Sequence, residues 1–245
     1  MPGELSKQFH KQTDLEFIAS SFRSDCRHQP GSWNEIYTKE YSRMEKIPLP
    51  KNFLDIGNME KAMKNRHSCR EYNLGKIITK DELSTLLFYS AGVNPGSQRD
   101  RIKRFYPSEG ALYPLEVYLA IQKVEGISQG IYHYNVKNHT LEKLTEGISE
   151  LDKIKEGLLY KWSREAPVMV FITSVWNRNM LKYGNRGYRA ILLEAGHLAQ
   201  NLSLVASALD IGCCNYMGFN NKLVNEVLDI INDDEDSLYM ALLGK

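Results

Sequence analysis

The stretch from Lys182 to Phe219 constrains the fold of this chain more than any other. Between Tyr188 and Leu209, apolar residues recur at Ile191, Ala195, Leu198, Leu202, Val205 and Leu209, alternating steps of four and three. That is the period of one long helix. A second rib at Leu192, Ala199 and Ala206 widens the apolar face and predicts a helix buried on most sides. Ala195, Gly196, Ala199, Ser203 and Ala206 are small enough for another helix to approach closely. Gly212 stands where a left-handed cap would close the helix, and an apolar segment then runs to Gly218-Phe219. Ahead of the helix, Lys182-Tyr183-Gly184 places an ammonium and a phenol at a loop-to-helix entrance. Titratable groups at the mouth of a core helix predict an active site built on it.

Around this helix the chain is ordinary for a globular protein: 245 residues, 42% hydrophobic and 25% charged. With no Pro- or Ser-rich linker, one main domain is expected, 51–245, preceded by an arm, 1–50, polar and irregular with scattered aromatics (Phe9, Phe17, Trp33, Tyr37, Tyr41). A net charge of +1 gives no global attraction to nucleic acid or membrane. The N-terminus has no apolar run of a signal peptide and no stretch is long enough to span a membrane, so a cytoplasmic protein is expected. Cys26, Cys69, Cys213 and Cys214 match neither a zinc site nor a CxxC pair; Cys213 and Cys214 read as small buried hydrophobes.

The remaining pattern is mixed. Asn58 caps a short helix over Met59–Lys64, and Thr79-Lys80-Asp81-Glu82 is a capping box that opens a helix ending at Gly92. Arg99, Arg101, Lys103 and Arg104 read as a solvated loop. Strands are expected at Leu115–Val124, Ile131–Asn135, Thr140–Leu144, Pro167–Val175 and Ser237–Leu243, with helices at Ile148–Trp162 and Asn220–Ile231. The sum is an α+β layered domain.

Familiar catalytic signatures are missing. There is no GxGxxG after a strand, no GxxxxGK, no HExxH and no nucleophile elbow, so no metal is expected. Arg66-His67-Ser68-Cys69-Arg70 is the best anion grip, since two guanidiniums and a hydroxyl can hold a phosphate through charge-assisted bonds. Lys182 or Tyr183 could act as a general base if burial or a cationic neighbour lowered its pKa. His197, alone on the helix, reads as a satisfied core residue.

Three ordered segments together resemble the nitroreductase-like flavoproteins, and within them the SagB-type dehydrogenases. RHSCREY is similar to that superfamily's Arg-x-Ser-x-Arg opening. YPSEGALYPLEVYL is similar to the branch's Tyr-Pro-Ser-Gly-Gly-Ala-x-Tyr-Pro-Leu-Glu block, and the helix segment from Lys182 is similar to its signature. The resemblance covers Arg66 to Lys245. It implies a nitroreductase-like α+β fold, with a central, mostly antiparallel sheet and long buried helices, in an entwined homodimer holding FMN at the interface. It also implies that Arg66, His67, Ser68 and Arg70 contact FMN, that Ser108 and Gly110 line the flavin from the partner subunit, and that Tyr216, Met217 and Gly218 pass its edge. Lys245 falls where a basic residue reaches the phosphate.

Members of the branch oxidise thiazoline and oxazoline rings in peptide natural products, and the Lys182-Tyr183 pair matches their catalytic pair. The resemblance therefore implies an azoline dehydrogenase reoxidised by dioxygen. Its substrate would come in trans, from a cyclodehydratase complex or a nonribosomal peptide synthetase carrier domain. Two other readings stand beside it: an NAD(P)H-dependent nitro or quinone reductase, and a flavin-poor scaffold subunit. Glu109 departs from the family pattern, replacing the first Gly after the serine, and it either alters substrate fit or points to solvent.

Overall fold

The computed structural model describes residues 4–13, 38–73, 75–96 and 103–245. Phe17, Trp33, Tyr37, Arg99 and Arg101 lie outside the described residues.

Helix α1 (Glu4–Gln12) comes first, where the sequence reading has irregular chain. Strand β1 (Glu45–Pro48) follows, then α2 (Met59–Asn65) and α3 (Lys80–Ala91). Both caps form as expected: Asn58 Oδ1 accepts from the Glu60 amide, and Thr79 and Glu82 close a reciprocal capping box. Strands β2 (Leu115–Ile121), β3 (Gly130–Asn135) and β4 (Thr140–Glu146) make a meander leading to α4 (Ile148–Glu156). Strand β5 (Val168–Val175), α5 (Asn177–Tyr183) and α6 (Asn185–Ala208) come next. The chain closes with β6 (Gly212–Tyr216), α7 (Asn221–Val227) and β7 (Glu235–Gly244).

Seven strands form one antiparallel sheet in the order β1-β4-β3-β2-β5-β7-β6. Alternation along each strand divides its side chains between two cores. Val117 pairs with Ile172 and Leu119 with Val170, on the face that packs against Leu86 of α3 and Ile191, Leu198 and Leu202 of α6. Tyr118, Met169, Phe171 and Leu242 point the other way, onto Leu151 and Ile154 of α4 and Val224 of α7. The β5 run PVMVFITSV is continuous because both its faces are covered.

The second face of the sheet also carries a buried charged network. His133 pairs in register with Glu142 on β4 and Tyr118 on β2. Its Nδ1 lies 2.9 Å from Glu142 Oε2 and its Nε2 3.1 Å from Glu116 Oε2. Glu116 in turn takes Arg178 of α5 at 2.6 Å. Lys39 lies across this face and pairs with Glu235 at 2.7 Å, and the Tyr41 amide donates to Glu142 at 3.0 Å. Part of the segment read as an arm is therefore stitched to the sheet.

The long helix spans Asn185–Ala208, close to expectation, but it is not buried on most sides in a single chain. Leu192 is 41% and Leu193 61% exposed, and nothing lies within 4 Å of where a Gly196 Cβ would be. The left-handed residue after the helix is Asp210 (φ 54°), not Gly212. Gly212 opens β6, and a Cβ there would stand 2.7 Å from Cys69 Sγ, so its smallness serves close approach rather than the cap. The helix expected over Ile148–Trp162 stops at Glu156, and a 3-10 turn occupies Lys161–Glu165. Cys213 and Cys214 are buried as expected.

Candidate functional site

Two pockets lie at opposite ends of α6. The first, about 270 Å³, is lined by Ser108, Glu109, Tyr183, Arg186, Glu194 and His197, among others. Ser108 and Glu109 enter it from the start of the 3-10 turn Glu109–Ala111, in which Gly110 takes φ 65°. Ala111 (φ 54°) and Tyr113 (φ 47°) are also left-handed, a local cost that neighbouring contacts must hold in place. Those contacts are visible. The Tyr113 amide donates to Ser108 Oγ at 2.9 Å, and Arg178 Nη1 donates to the Tyr113 carbonyl at 3.3 Å. Beneath them Arg104 is buried between the Tyr106 and Tyr113 rings and donates to Tyr106 Oη and the Leu115 carbonyl, each at 2.9 Å. This overturns the solvated-loop reading for Arg104: its charge supports the turn.

Lys182 and Tyr183 end helix α5 rather than occupying a loop, and both are half-buried. A Cβ at Gly110 would sit 2.5 Å from Tyr183 Oη and 3.2 Å from Lys182 Nζ. Lys182 Nζ also lies 5.2 Å from the Tyr183 ring centroid. The structure thus joins Ser108, Gly110, Lys182 and Tyr183 in one cluster of a single chain. His197 is exposed at this pocket and not a core residue, and Glu109, also exposed, lines it. Above the rim, Arg189 donates to the His10 carbonyl at 2.9 Å and Arg186 to the Thr13 carbonyl at 3.2 Å, tying the C-terminal end of α1 to α6.

Sequence reasoning missed Glu194. Its carboxyl lies in the first pocket, 2% exposed, with neither oxygen closing a hydrogen bond of good geometry. Burial pushes its pKa up to about 8, against the pull of the Ser108 hydroxyl, the Arg104 guanidinium and the Glu109 backbone. The signal was there: Glu194 follows Ile191 by three and precedes Leu198 by four, placing a carboxyl on the buried stripe.

The second pocket, about 540 Å³, is lined by Asn65, His67, Cys69, Ser203, Ser207, Asp210, Gly212, Cys213 and Lys245. Arg66, His67, Ser68 and Arg70 are exposed along β6, where Ser68 bridges to Cys213. Arg70 lies over Trp162 at 5.8 Å, and Trp162 meets the Tyr216 ring edge-on at 5.5 Å. That links the basic segment to Tyr216, Met217 and Gly218, of which Met217 is 72% exposed. Lys245 reaches this pocket but its ammonium holds Glu82 at 2.6 Å. A phosphate-bearing ligand fits this donor set of guanidiniums, imidazole, hydroxyl and ammonium. Asn215 Oδ1, buried without a partner beside Ser203, adds an unused acceptor.

Glu194 and Ser207 are thirteen residues apart on α6, or about 20 Å at the helical rise. One chain therefore does not bring Lys182 and Tyr183 to the basic segment. Ser84, His139 and Tyr134 form a hydrogen-bonded chain elsewhere (2.8 Å and 2.7 Å), but it is buried and Ser84 donates to the Pro50 carbonyl, which marks a structural staple. No group of three or more His, Cys, Asp or Glu suited to a metal occurs among the described residues, and no described helix is long and apolar enough to cross a membrane.

A family model described as the nitroreductase family matches residues 63–245, which include both pockets. The chain belongs to the nitroreductase family. Among its relatives is MJ1384 of Methanocaldococcus jannaschii, whose name assigns it to the nitroreductases: 31% identical over 172 residues, 70% of this chain and 84% of that protein. The microcin B17-processing protein McbC of Escherichia coli is 28% identical over 238 residues, 94% of this chain and 79% of McbC. A crystal structure from Anabaena variabilis ascribed to a nitroreductase superposes with TM-score 0.74 at 26% identity. It aligns with 98% of this chain, which spans 46% of that longer one. The E. coli microcin synthetase McbBCD complex with truncated pro-MccB17 bound gives TM-score 0.63 at 23% identity over 98% of this chain and 91% of the matched one, a likeness of fold.

Proposed function

We propose that this protein is an FMN-dependent dehydrogenase of the SagB type that oxidises thiazoline or oxazoline rings to thiazoles or oxazoles in a peptide. The observation that carries the reading is the meeting of Lys182 and Tyr183 with Gly110, beside the pocket that Ser108 and Tyr183 line. Similarity to a microcin-processing protein over 94% of this chain supports a peptide substrate, and the McbBCD assembly supports delivery by a cyclodehydratase complex. A nonribosomal peptide synthetase carrier is the other source.

Arg66, His67, Ser68, Arg70 and Lys245 would hold the FMN phosphate and ribityl chain, with Tyr216, Met217 and Gly218 along the ring edge. Bound FMN supplies the hydride acceptor. Lys182 and Tyr183 supply the base: one removes the ring-carbon proton while the other tunes it.

The site is completed by a second copy. The exposed Leu192, Leu193 and Gly196 on α6 favour a homodimer packed through this helix, which would set the first pocket of one copy against the second pocket of the other. Whichever copy supplies Ser108 and Gly110 also supplies Lys182 and Tyr183, because they are in contact.

The family name and the similarity to MJ1384 favour a second reading, an NAD(P)H-dependent reductase. An anaerobic absorbance titration separates the two. Bleaching of the flavin band by a thiazoline peptide, and not by NADPH alone, supports the dehydrogenase; bleaching by NADPH alone transfers the case to the reductase.

A further inference from the structure

The first pocket holds a carboxyl that the base pair alone does not need. Glu194 projects from α6 into the cavity that Tyr183 also lines, 2% exposed and with neither oxygen closing a hydrogen bond of good geometry. The Ser108–Ala111 turn is clasped between them: its Gly110 side meets Lys182 and Tyr183, while Ser108 and the Glu109 backbone face Glu194. A buried carboxyl so loosely held costs stability, and such groups concentrate where chemistry needs them.

We propose that Glu194 is the proton partner of the Lys182–Tyr183 pair, taking up the proton that the pair has drawn from the substrate ring. The proposal rests on the dehydrogenase reading above. The ring C–H bond breaks and its proton goes to the pair, and FMN, when bound, would supply the acceptor for the hydride of the neighbouring carbon. An O–H or N–H bond of the pair then breaks, and an O–H bond forms on the Glu194 carboxylate, the proton crossing by water in the pocket that Tyr183 and Glu194 both line. The neutral acid next releases its proton to solvent through the pocket mouth.

Acid strength suits the task. An ordinary carboxylate is about five to six orders of magnitude too weak a base for an ordinary phenol, whose pKa is near 10. Burial that brings Glu194 to about 8 narrows that gap to about a hundredfold. The charged and titratable groups around it are Arg104, Tyr106, Glu109 and Tyr113 from the turn region, Lys182 and Tyr183 from α5, and Arg186, Arg189 and His197 from α6. Arg104 opposes the rise and the Glu109 carboxylate adds to it.

The test pairs infrared spectroscopy of the purified protein, without substrate, with steady-state kinetics on a thiazoline peptide. The expected result is a protonated-carboxyl band that titrates near pH 8 and is absent in Glu194→Gln. Wild-type kcat should rise with pH through the same midpoint. Glu194→Gln should lose that limb and at least tenfold in kcat, with KM changed less than threefold and FMN still bound. A carboxyl ionised throughout pH 6–9 would overturn the proposal, as would a Glu194→Gln enzyme that keeps the wild-type pH profile. If wild-type protein shows the titrating band but oxidises no azoline, the dehydrogenase reading fails and the proton-partner role falls with it. Should the glutamine variant not fold, the infrared titration and pH profile of the wild type decide: midpoints that differ would overturn the role.

Discussion

Gly110 and Tyr183 are fitted so closely that a Cβ on the glycine would stand 2.5 Å from the tyrosine hydroxyl, a contact no relaxed structure keeps. Gly110 also takes φ 65°, where an added Cβ costs roughly 1–2 kcal/mol. Gly110→Ala should therefore push Tyr183 out of place, lowering kcat by tenfold or more while the far-UV circular dichroism stays that of the wild type. Unchanged turnover in this variant would mean that the contact does not position the phenol.

The basic segment and the base pair should fail in different ways. Arg70→Ala removes one charge-assisted contact, worth about 1.5–3 kcal/mol, so FMN dissociation constants measured by fluorescence should rise about ten- to a hundredfold. Tyr183→Phe and Lys182→Ala should keep FMN near wild-type affinity and lose most turnover. Flavin loss in the Tyr183 and Lys182 variants would make the pair structural.

His133 links stability to pH. Burial alone would lower its pKa, but Glu116 and Glu142 at its two nitrogens outweigh burial and hold it raised. That stabilisation is complete below the unfolded value near 6.5 and is lost as pH rises through the higher folded value. Burial likewise pushes Glu142 up, but His133, Asn135 and the Tyr41 amide bring it down to about 2, so its contribution is complete above its usual range and is lost on acidification. Urea midpoints should peak at roughly pH 5–6 and fall on either side, and His133→Gln should abolish the alkaline decline. Because Glu116 also anchors Arg178 on α5, the same variant should loosen Tyr183 and lower kcat. A flat urea profile in the wild type would show that the network does not titrate with folding.

Much of this arrangement was legible beforehand. Apolar spacing located α6, and the capping box located α3. Outside the α6 stripe, burial of individual polar groups was not legible. Arg104 reads as one of four solvated cations, yet two tyrosines and a backbone carbonyl take it inside. His197 reads as core because it lies on a helix with a wide apolar face, but its side chain points along the exposed one. Local sequence sets which residues share a face; whether another chain segment covers that face depends on packing across the fold. The His133 network is a further case, since its members come together only through strand register.

The exposed rib of α6 makes its own prediction. Leu193→Lys puts a charge on a leucine that is 61% exposed in one chain, and should halve the mass seen by light scattering and release FMN with it. A wild-type protein already monomeric at micromolar concentration would remove the second copy from the site.

The separation of the two pockets along α6 has a genetic consequence. If each complete site draws one pocket from each copy, a subunit carrying Arg66→Ala and a subunit carrying Tyr183→Phe are both inactive alone. Paired, they leave one of two sites with both halves intact. Two null alleles would complement within the same cell when their lesions lie at opposite ends of the helix, and never when they share an end.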